Sequence, residues 1–118
     1  MTRERINIVN GLLVVPDGNC QWYEFSIPKE AKDSLVQGSF VATGGSGNDI
    51  EVLVMDEIDF INWRNGHDFK VYYQAKLTID QIKLKLPVNK KYFLVFSNMF
   101  SAITGKQVDA RVDLSYEI

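Results

Sequence analysis

Hydrophobic and polar residues alternate along most of this chain. From residue 108 to residue 116 every second residue is apolar, and those between are polar or charged. A period of two is typical of a strand with one buried face. Residues 23–27 and 82–86 show the same period. The pattern predicts a chain built mainly of half-buried β-strands.

Two other segments, residues 50–55 and 92–96, are apolar on both faces. Such strands belong in the middle of a sheet or between two layers. The segment 35–43 carries Gly38 in its interior, which predicts a bulge or the close approach of another backbone.

Turn sequences separate these runs at short intervals. The stretch 16–19, Pro-Asp-Gly-Asn, combines a residue with fixed φ and one that accepts positive φ. Residues 44–48 are predicted to form a glycine-rich loop, and residues 88–90 to close a hairpin onto Tyr92. Many short strands divided by turns predict an all-β fold, an antiparallel β-sandwich or jelly roll of about eight strands.

One stretch departs from the strand pattern and predicts a short helix over residues 57–65. Asp56 is a suitable N-cap, and Gly66 suits the residue after the last turn. Glu57 and Asp59 fall in the first turn, where the helix dipole favours negative charge. The same three acidic residues also offer metal ligands, but their spacing favours the capped helix.

Composition places the chain among globular domains. Of its 118 residues, 46% are hydrophobic and 24% charged, so we expect a single domain over residues 1–118. The net charge of −2 and the sequence pI of about 5.3 disfavour a nucleic-acid binder, which needs a basic surface.

Cysteine content and targeting signals bear on the compartment. Cys20 is the single cysteine, which excludes an intrachain disulfide. No stretch approaches the ~20 apolar residues of a membrane span, and the N-terminal residues do not follow a signal-peptide pattern. We therefore expect a soluble protein, with the cytoplasm favoured as its location.

The region from Gly38 to Tyr116 resembles a GOLD-type (Golgi dynamics) β-sandwich domain. Two features of the first half carry the resemblance: Gly38-Ser39-Phe40 enters a strand, and a glycine turn leads into the apolar strand that ends at Asp56. Two more lie in the second half: residues 91–98 have the sequence KYFLVFSN, and the last strand is amphipathic. Residues 22–25, with the sequence WYEF, are similar to an early aromatic strand of such domains. The resemblance implies a protein- or lipid-interaction module without catalysis.

The glycine-rich loop is the first candidate binding site. Its backbone N–H groups can form an anion nest, and Asn48 and Asp49 carry oxygen ligands suited to Ca²⁺. The alternative is a structural loop in which Asp49 caps its own backbone.

Exposed aromatic residues are the second candidate. Trp22, Trp63, Tyr72 and Phe93 fall opposite the residues assigned to the core, and flat rings suit binding to carbohydrate or peptide. The alternative is that these rings cover a second apolar face. His67, the single histidine, is expected in the loop of residues 63–68, which together with the glycine-rich loop is predicted to form a binding surface at one end of the sandwich. One histidine with one cysteine does not make a zinc site.

Lysines form the third candidate, since Lys83, Lys85, Lys90 and Lys91 cluster around the predicted hairpin. They suit an anionic lipid headgroup or an acidic partner, or they serve as solvated charges that protect a sheet edge.

The sequence carries no catalytic signature and no cofactor fingerprint. We therefore expect a non-catalytic binding or protein-interaction module, without a cofactor, whose partner is a protein or a second copy of the chain. A carbohydrate-binding or Ca²⁺-assisted lectin-like module is the first alternative, and a structural or assembly subunit is the second. Fold alone does not choose among them.

Overall fold

Two four-stranded antiparallel sheets pack face to face in the structure, a computed structural model that describes residues 2–43, 49–100 and 105–118. Within these ranges the chain forms eight strands and one helix. In order they are β1 (Arg3–Val15), β2 (Cys20–Ile27), β3 (Lys32–Thr43), β4 (Ile50–Asp56), α1 (Glu57–Arg64), β5 (Tyr73–Leu77), β6 (Ile79–Leu84), β7 (Lys90–Ser97) and β8 (Lys106–Glu117). The predicted all-β sandwich with one short helix is confirmed.

The first sheet has the strand order β1-β8-β3-β6, and the second has the order β2-β7-β4-β5. Apart from β4 and β5, which α1 connects within the second sheet, each strand is followed along the chain by a strand of the other sheet. This is the connectivity of an eight-stranded jelly roll. Each crossing lets the chain place the apolar face of the next strand against the same core.

The main core lies between the two sheets, and β8 shows how the sequence builds it. Val108, Ala110, Val112 and Leu114 are fully buried, while Asp109 on the opposite face is exposed. The larger side chains of this core are Phe40, Tyr92 and Phe96, all fully buried. The alternation read from residues 108–116 is thus confirmed.

The two strands predicted to be apolar on both faces, β4 and β7, are the inner strands of the second sheet. Their inward residues join the main core. Their outward residues Leu53, Met55, Phe93 and Val95 form a second apolar cluster with Phe60 of α1. A strand with two apolar faces therefore needs a cover on the outside, and α1 supplies it.

Gly38 lies where β3 pairs with β8. A Cβ at this position would collide with the carbonyl oxygen of Arg111 and would lie 2.6 Å from the Cα of Val112. Close approach of a neighbouring backbone, one of the two predictions made for Gly38, explains the glycine.

The predicted hairpin at residues 88–90 is wrong. β6 pairs with β3 in the first sheet, whereas β7 pairs with β2 and β4 in the second. Asn89 does have the positive φ of a turn residue, 62°, but its N–H donates to the carbonyl of Ile27 at the end of β2. The connection crosses between sheets, and local turn chemistry does not distinguish a crossing from a hairpin.

Candidate functional site

Phe60 anchors α1 on the outer face of the second sheet. Its ring stacks on Phe93 with centroids 4.0 Å apart and planes 7° from parallel. Trp22 of β2 meets Phe60 edge-on at 5.3 Å, and Trp63, one turn along the helix, lies 6.1 Å from it. This stacking draws both tryptophans of the chain to one place.

The N-terminal end of α1 is held by its cap. A carboxylate oxygen of Asp56 accepts a hydrogen bond from the N–H of Asp59 at 3.0 Å, as the sequence predicts for an N-cap. The Asp59 carboxylate in turn accepts the N–H of Lys70 at 2.9 Å. Two of the three acidic residues proposed as alternative metal ligands thus hold backbone N–H groups.

The C-terminal end of α1 borders a groove. Asn65 ends the helix, and Gly66 follows with a φ of 73°. The last helical residue, Arg64, places its guanidinium over the ring of Trp22, 4.6 Å from the centroid. Beside this pair lies a groove of about 460 Å³, which we call the Trp22 groove; its lining residues are Gly18, Asn19, Cys20, Trp22, Trp63, Arg64 and Met99.

The wall of the Trp22 groove opposite α1 is the turn between β1 and β2. Gly18 takes a φ of 70° there, and its N–H donates to the carbonyl of Asn98. The N–H of Asn98 donates to the carbonyl of Asn19 at 2.8 Å, and the Asn98 side chain donates to the carbonyl of Val15. Because Asn98 is fully buried, these bonds hold the turn in one position relative to Met99.

A second depression of about 460 Å³ lies beside the groove, and both are lined by Asn19, Cys20 and Trp22. Pro16 and Gln21 complete its lining. Trp22, 39% exposed, is thus shared by two concave surfaces. An extended ligand that crosses the Trp22 ring and contacts both depressions suits this surface better than a compact ligand that fills one of them.

Cys20 lies in the groove wall and is half-buried. Burial raises the pKa of its thiol, an effect that the nearby Arg64 charge only partly opposes. The thiol is therefore protonated at neutral pH. A nucleophilic cysteine requires the opposite shift.

Of the predicted aromatic residues, the structure brings Trp22 and Trp63 together and separates Tyr72 from them. Tyr72 lies near the N-terminal end of α1, where its ring meets Tyr92 edge-on and it lines a depression of about 380 Å³ with Asp56 and Lys90. Phe93 does face away from the main core, but it is buried beneath Phe60.

Two other predicted binding residues, His67 and Asp49, are not among the residues that line the groove. His67 is exposed just after the helix, and its backbone N–H donates to the carbonyl of Asn62. The Asp49 carboxylate accepts a hydrogen bond from the Thr78 hydroxyl at 2.9 Å. Asn48 and the rest of the glycine-rich loop lie outside the described residues.

The four predicted lysines are distributed over both sheets. Lys83 lies on β6 of the first sheet, and Lys85 pairs with Asp33 at 3.6 Å. Lys90 and Lys91 begin β7 of the second sheet, where Lys90 pairs with Asp56 at 3.5 Å and Lys91 with Glu24 at 2.8 Å.

Sequence reasoning missed Arg64, Met99 and Cys20 as groove residues. Arg64 follows Phe60 by four residues and so shares its helix face, which is a signal the sequence does contain. Nothing local indicates that Met99 lies across from them. The position of Met99 depends on the end of β7, which lies beside the turn between β1 and β2.

Across residues 2–43, 49–100 and 105–118, no group of three or more histidine, cysteine, aspartate or glutamate side chains is arranged to hold a metal ion. No helix in the same part of the chain is long and apolar enough to cross a membrane.

Comparison with known proteins does not assign the chain to a family. No protein-family model matches the sequence, and no curated protein matches it significantly.

Proposed function

We propose that this protein is a non-catalytic binding module that holds a segment of a partner protein in the Trp22 groove. The observation that carries the proposal is that Trp22, Trp63, Arg64 and Met99, contributed by three separate parts of the chain, line one groove. Tryptophan, arginine and methionine are the residue types enriched at protein interfaces.

The dimensions of the groove support a ligand of peptide size. Its volume of about 460 Å³ lies within the usual range of binding sites. Met99 is 58% exposed at its rim, so a flexible apolar side chain is available to contact a ligand. The hydrogen bonds of Asn98 fix the facing turn, which lowers the entropic cost of binding.

A peptide ligand is favoured over a carbohydrate by the surroundings of Trp22. Sugar rings stack on open aromatic faces, whereas Arg64 covers one face of Trp22 and Phe60 contacts the ring edge-on. The resemblance of residues 38–116 to GOLD-type domains also supports an interaction module without catalysis.

The two tryptophans give a direct test because both line the groove and the chain has no others. Peptides selected from a random display library on the wild-type protein are titrated while the two indole N–H signals are followed by NMR. We expect both signals to shift. The Met99→Glu variant, which places a negative charge at the exposed apolar rim, should weaken binding about tenfold or more.

Ile58→Glu is the matched control because Ile58 is an exposed apolar residue near the other end of α1. It should leave the affinity unchanged. Peptides that bind without moving either indole signal contradict the proposal. A glycan-array ligand that moves both signals, where no peptide does, favours the carbohydrate-binding alternative.

A further inference from the structure

Two cations on the outer side of the second sheet are Arg64, in the lining of the Trp22 groove, and Lys76, on β5. Arg3, Lys85, Lys90 and Lys91 each pair with a carboxylate. Arg64 and Lys76 form no ion pair with any carboxylate in the part of the chain that the structure describes. Both are exposed. A carboxylate, Glu51, lies directly across from Lys76 in the sheet, whereas none of the described residues lining the groove beside Arg64 is acidic, so the charge of Arg64 is the more available to a ligand.

Each of these two cations lies over an aromatic ring instead. Arg64 lies over Trp22, and the ammonium of Lys76 lies 3.9 Å from the ring centroid of Phe100. A ring orients a cation without neutralising it or using all its N–H donors. A guanidinium or ammonium held in this way is prepared to donate charge-assisted hydrogen bonds to a carboxylate.

Sheet register places Lys76 on the same outer face of the second sheet as Cys20, a residue of the groove wall. Cys20 of β2 pairs with Ser97 of β7, Ser97 with Glu51 of β4, and Glu51 with Lys76 of β5. Cys20, in the groove wall, lies three strand spacings from Lys76, a distance of about 14 Å. About four residues of an extended peptide span that distance. Met99 and Phe100 follow Ser97, the second residue of this row, in sequence.

We infer that the segment bound in the Trp22 groove is an acidic peptide, with one carboxylate at Arg64, another toward Lys76, and an apolar side chain between them against Met99. This inference rests on the proposed function. Glu51 lies directly across from Lys76 in the sheet, so Arg64 is the stronger of the two positions for a carboxylate of the ligand.

The number of cations along the proposed binding surface argues against larger anions. Anionic membranes are recognised by clusters of four to eight basic residues, and nucleic acids by a basic stripe. In the described residues, the groove lining and the row from Cys20 to Lys76 carry two cations, Arg64 and Lys76, which suits a short acidic segment.

The test uses three peptide display libraries of equal size and equal apolar content. Their polar positions are restricted to Asp and Glu, to Asn and Gln, or to Lys and Arg. Each library is selected on the wild-type protein, on Arg64→Glu and on Arg5→Glu. Arg5 is an exposed arginine on β1, so Arg5→Glu gives the same change in net charge away from the groove.

We expect clones from the acidic library to bind the wild-type protein about tenfold more tightly than the best amide clones. Arg64→Glu should abolish that preference and Arg5→Glu should retain it. Melting curves and the indole signals of each variant establish that it is folded.

Three results overturn the inference, and they separate it from the proposed function. If the best amide clones bind as tightly as the best acidic clones and shift both indole signals, the groove binds peptides without selecting acidic ones. Arg64→Glu and Arg5→Glu with equal effects show that only net charge matters. No groove binding from any library overturns the proposed function together with the inference.

Discussion

The two ends of α1 use charge differently. At the N-terminal end Asp56 caps the helix and pairs with Lys90, and Lys91 contacts both Glu24 and Glu57. At the C-terminal end Arg64 lies over Trp22 beside a groove. Charges at the first end are neutralised by neighbours within the fold. The charge at the second end is oriented by a ring and remains available to a ligand, which is why we place the binding site there.

Phe60 connects the two ends, and its loss should have the largest effect. It is buried beneath α1 and contacts Trp22, Trp63 and Phe93. We expect Phe60→Ala to lower the free energy of unfolding by about 3–5 kcal/mol, because it leaves a cavity in the second apolar cluster. Urea denaturation measures this.

Ile61→Ala is the control for Phe60→Ala, since Ile61 is the next helical residue and is exposed. It should change the free energy of unfolding by less than about 0.5 kcal/mol. Equal losses for the two variants would mean that α1 does not dock through Phe60.

Removing the cap tests the N-terminal end alone. Asp56→Ala should cost about 1 kcal/mol of unfolding free energy, because the N–H of Asp59 loses its acceptor. Peptide binding in the groove should persist in this variant at a temperature where it is folded. An Asp56→Ala protein as stable as the exposed-residue control Asp68→Ala would show that the cap contributes nothing.

Acid should reduce the stability that the Asp56 cap gives to the N-terminal end of α1. Partial burial alone would raise the pKa of the Asp56 carboxyl, but hydrogen bonds from the Asp59 N–H and from Lys90 hold the pKa below its usual 3.8. The stabilisation is therefore complete above the unfolded-state value of 3.8 and is lost as the pH falls through the lower folded-state value.

Asp56→Asn isolates this effect because asparagine also caps helices but carries no charge. Between about pH 5 and about pH 2, the unfolding free energy of the wild-type protein should fall more steeply than that of Asp56→Asn. Parallel pH profiles would assign the acid sensitivity to other carboxylates.

The smallest effect on stability should come from the C-terminal end. Arg64→Ala removes an exposed contact between a cation and Trp22, worth about 0.5–1 kcal/mol. Tryptophan fluorescence should nevertheless change, since the variant uncovers one face of Trp22. Arg5→Ala serves as the control and should alter neither property. A loss for Arg64→Ala as large as that for Phe60→Ala would make Arg64 a structural residue.

Particular residues show how far the sequence predicted the site. The N-cap at Asp56, the helix after it and the outward direction of Trp22 all follow from spacing. The pairing of Trp22 with Arg64 does not, because the two residues are far apart in sequence and meet only when α1 folds back over β2. The candidate sites at Asp49 and His67 lie elsewhere, and they remain predictions.

Local patterns determined the elements of this protein: a period of two for the strands, two-sided apolar runs for the inner strands of the second sheet, and a capped helix between them. They could do so because burial of alternate side chains and capping of N–H groups act between residues close in sequence. Tertiary structure alone decided that residues 87–89 cross between the sheets. It alone also decided that the C-terminal end of α1, the turn between β1 and β2, and Met99 meet around Trp22. Those contacts join distant residues, and only the packing of both sheets and the helix brings them together.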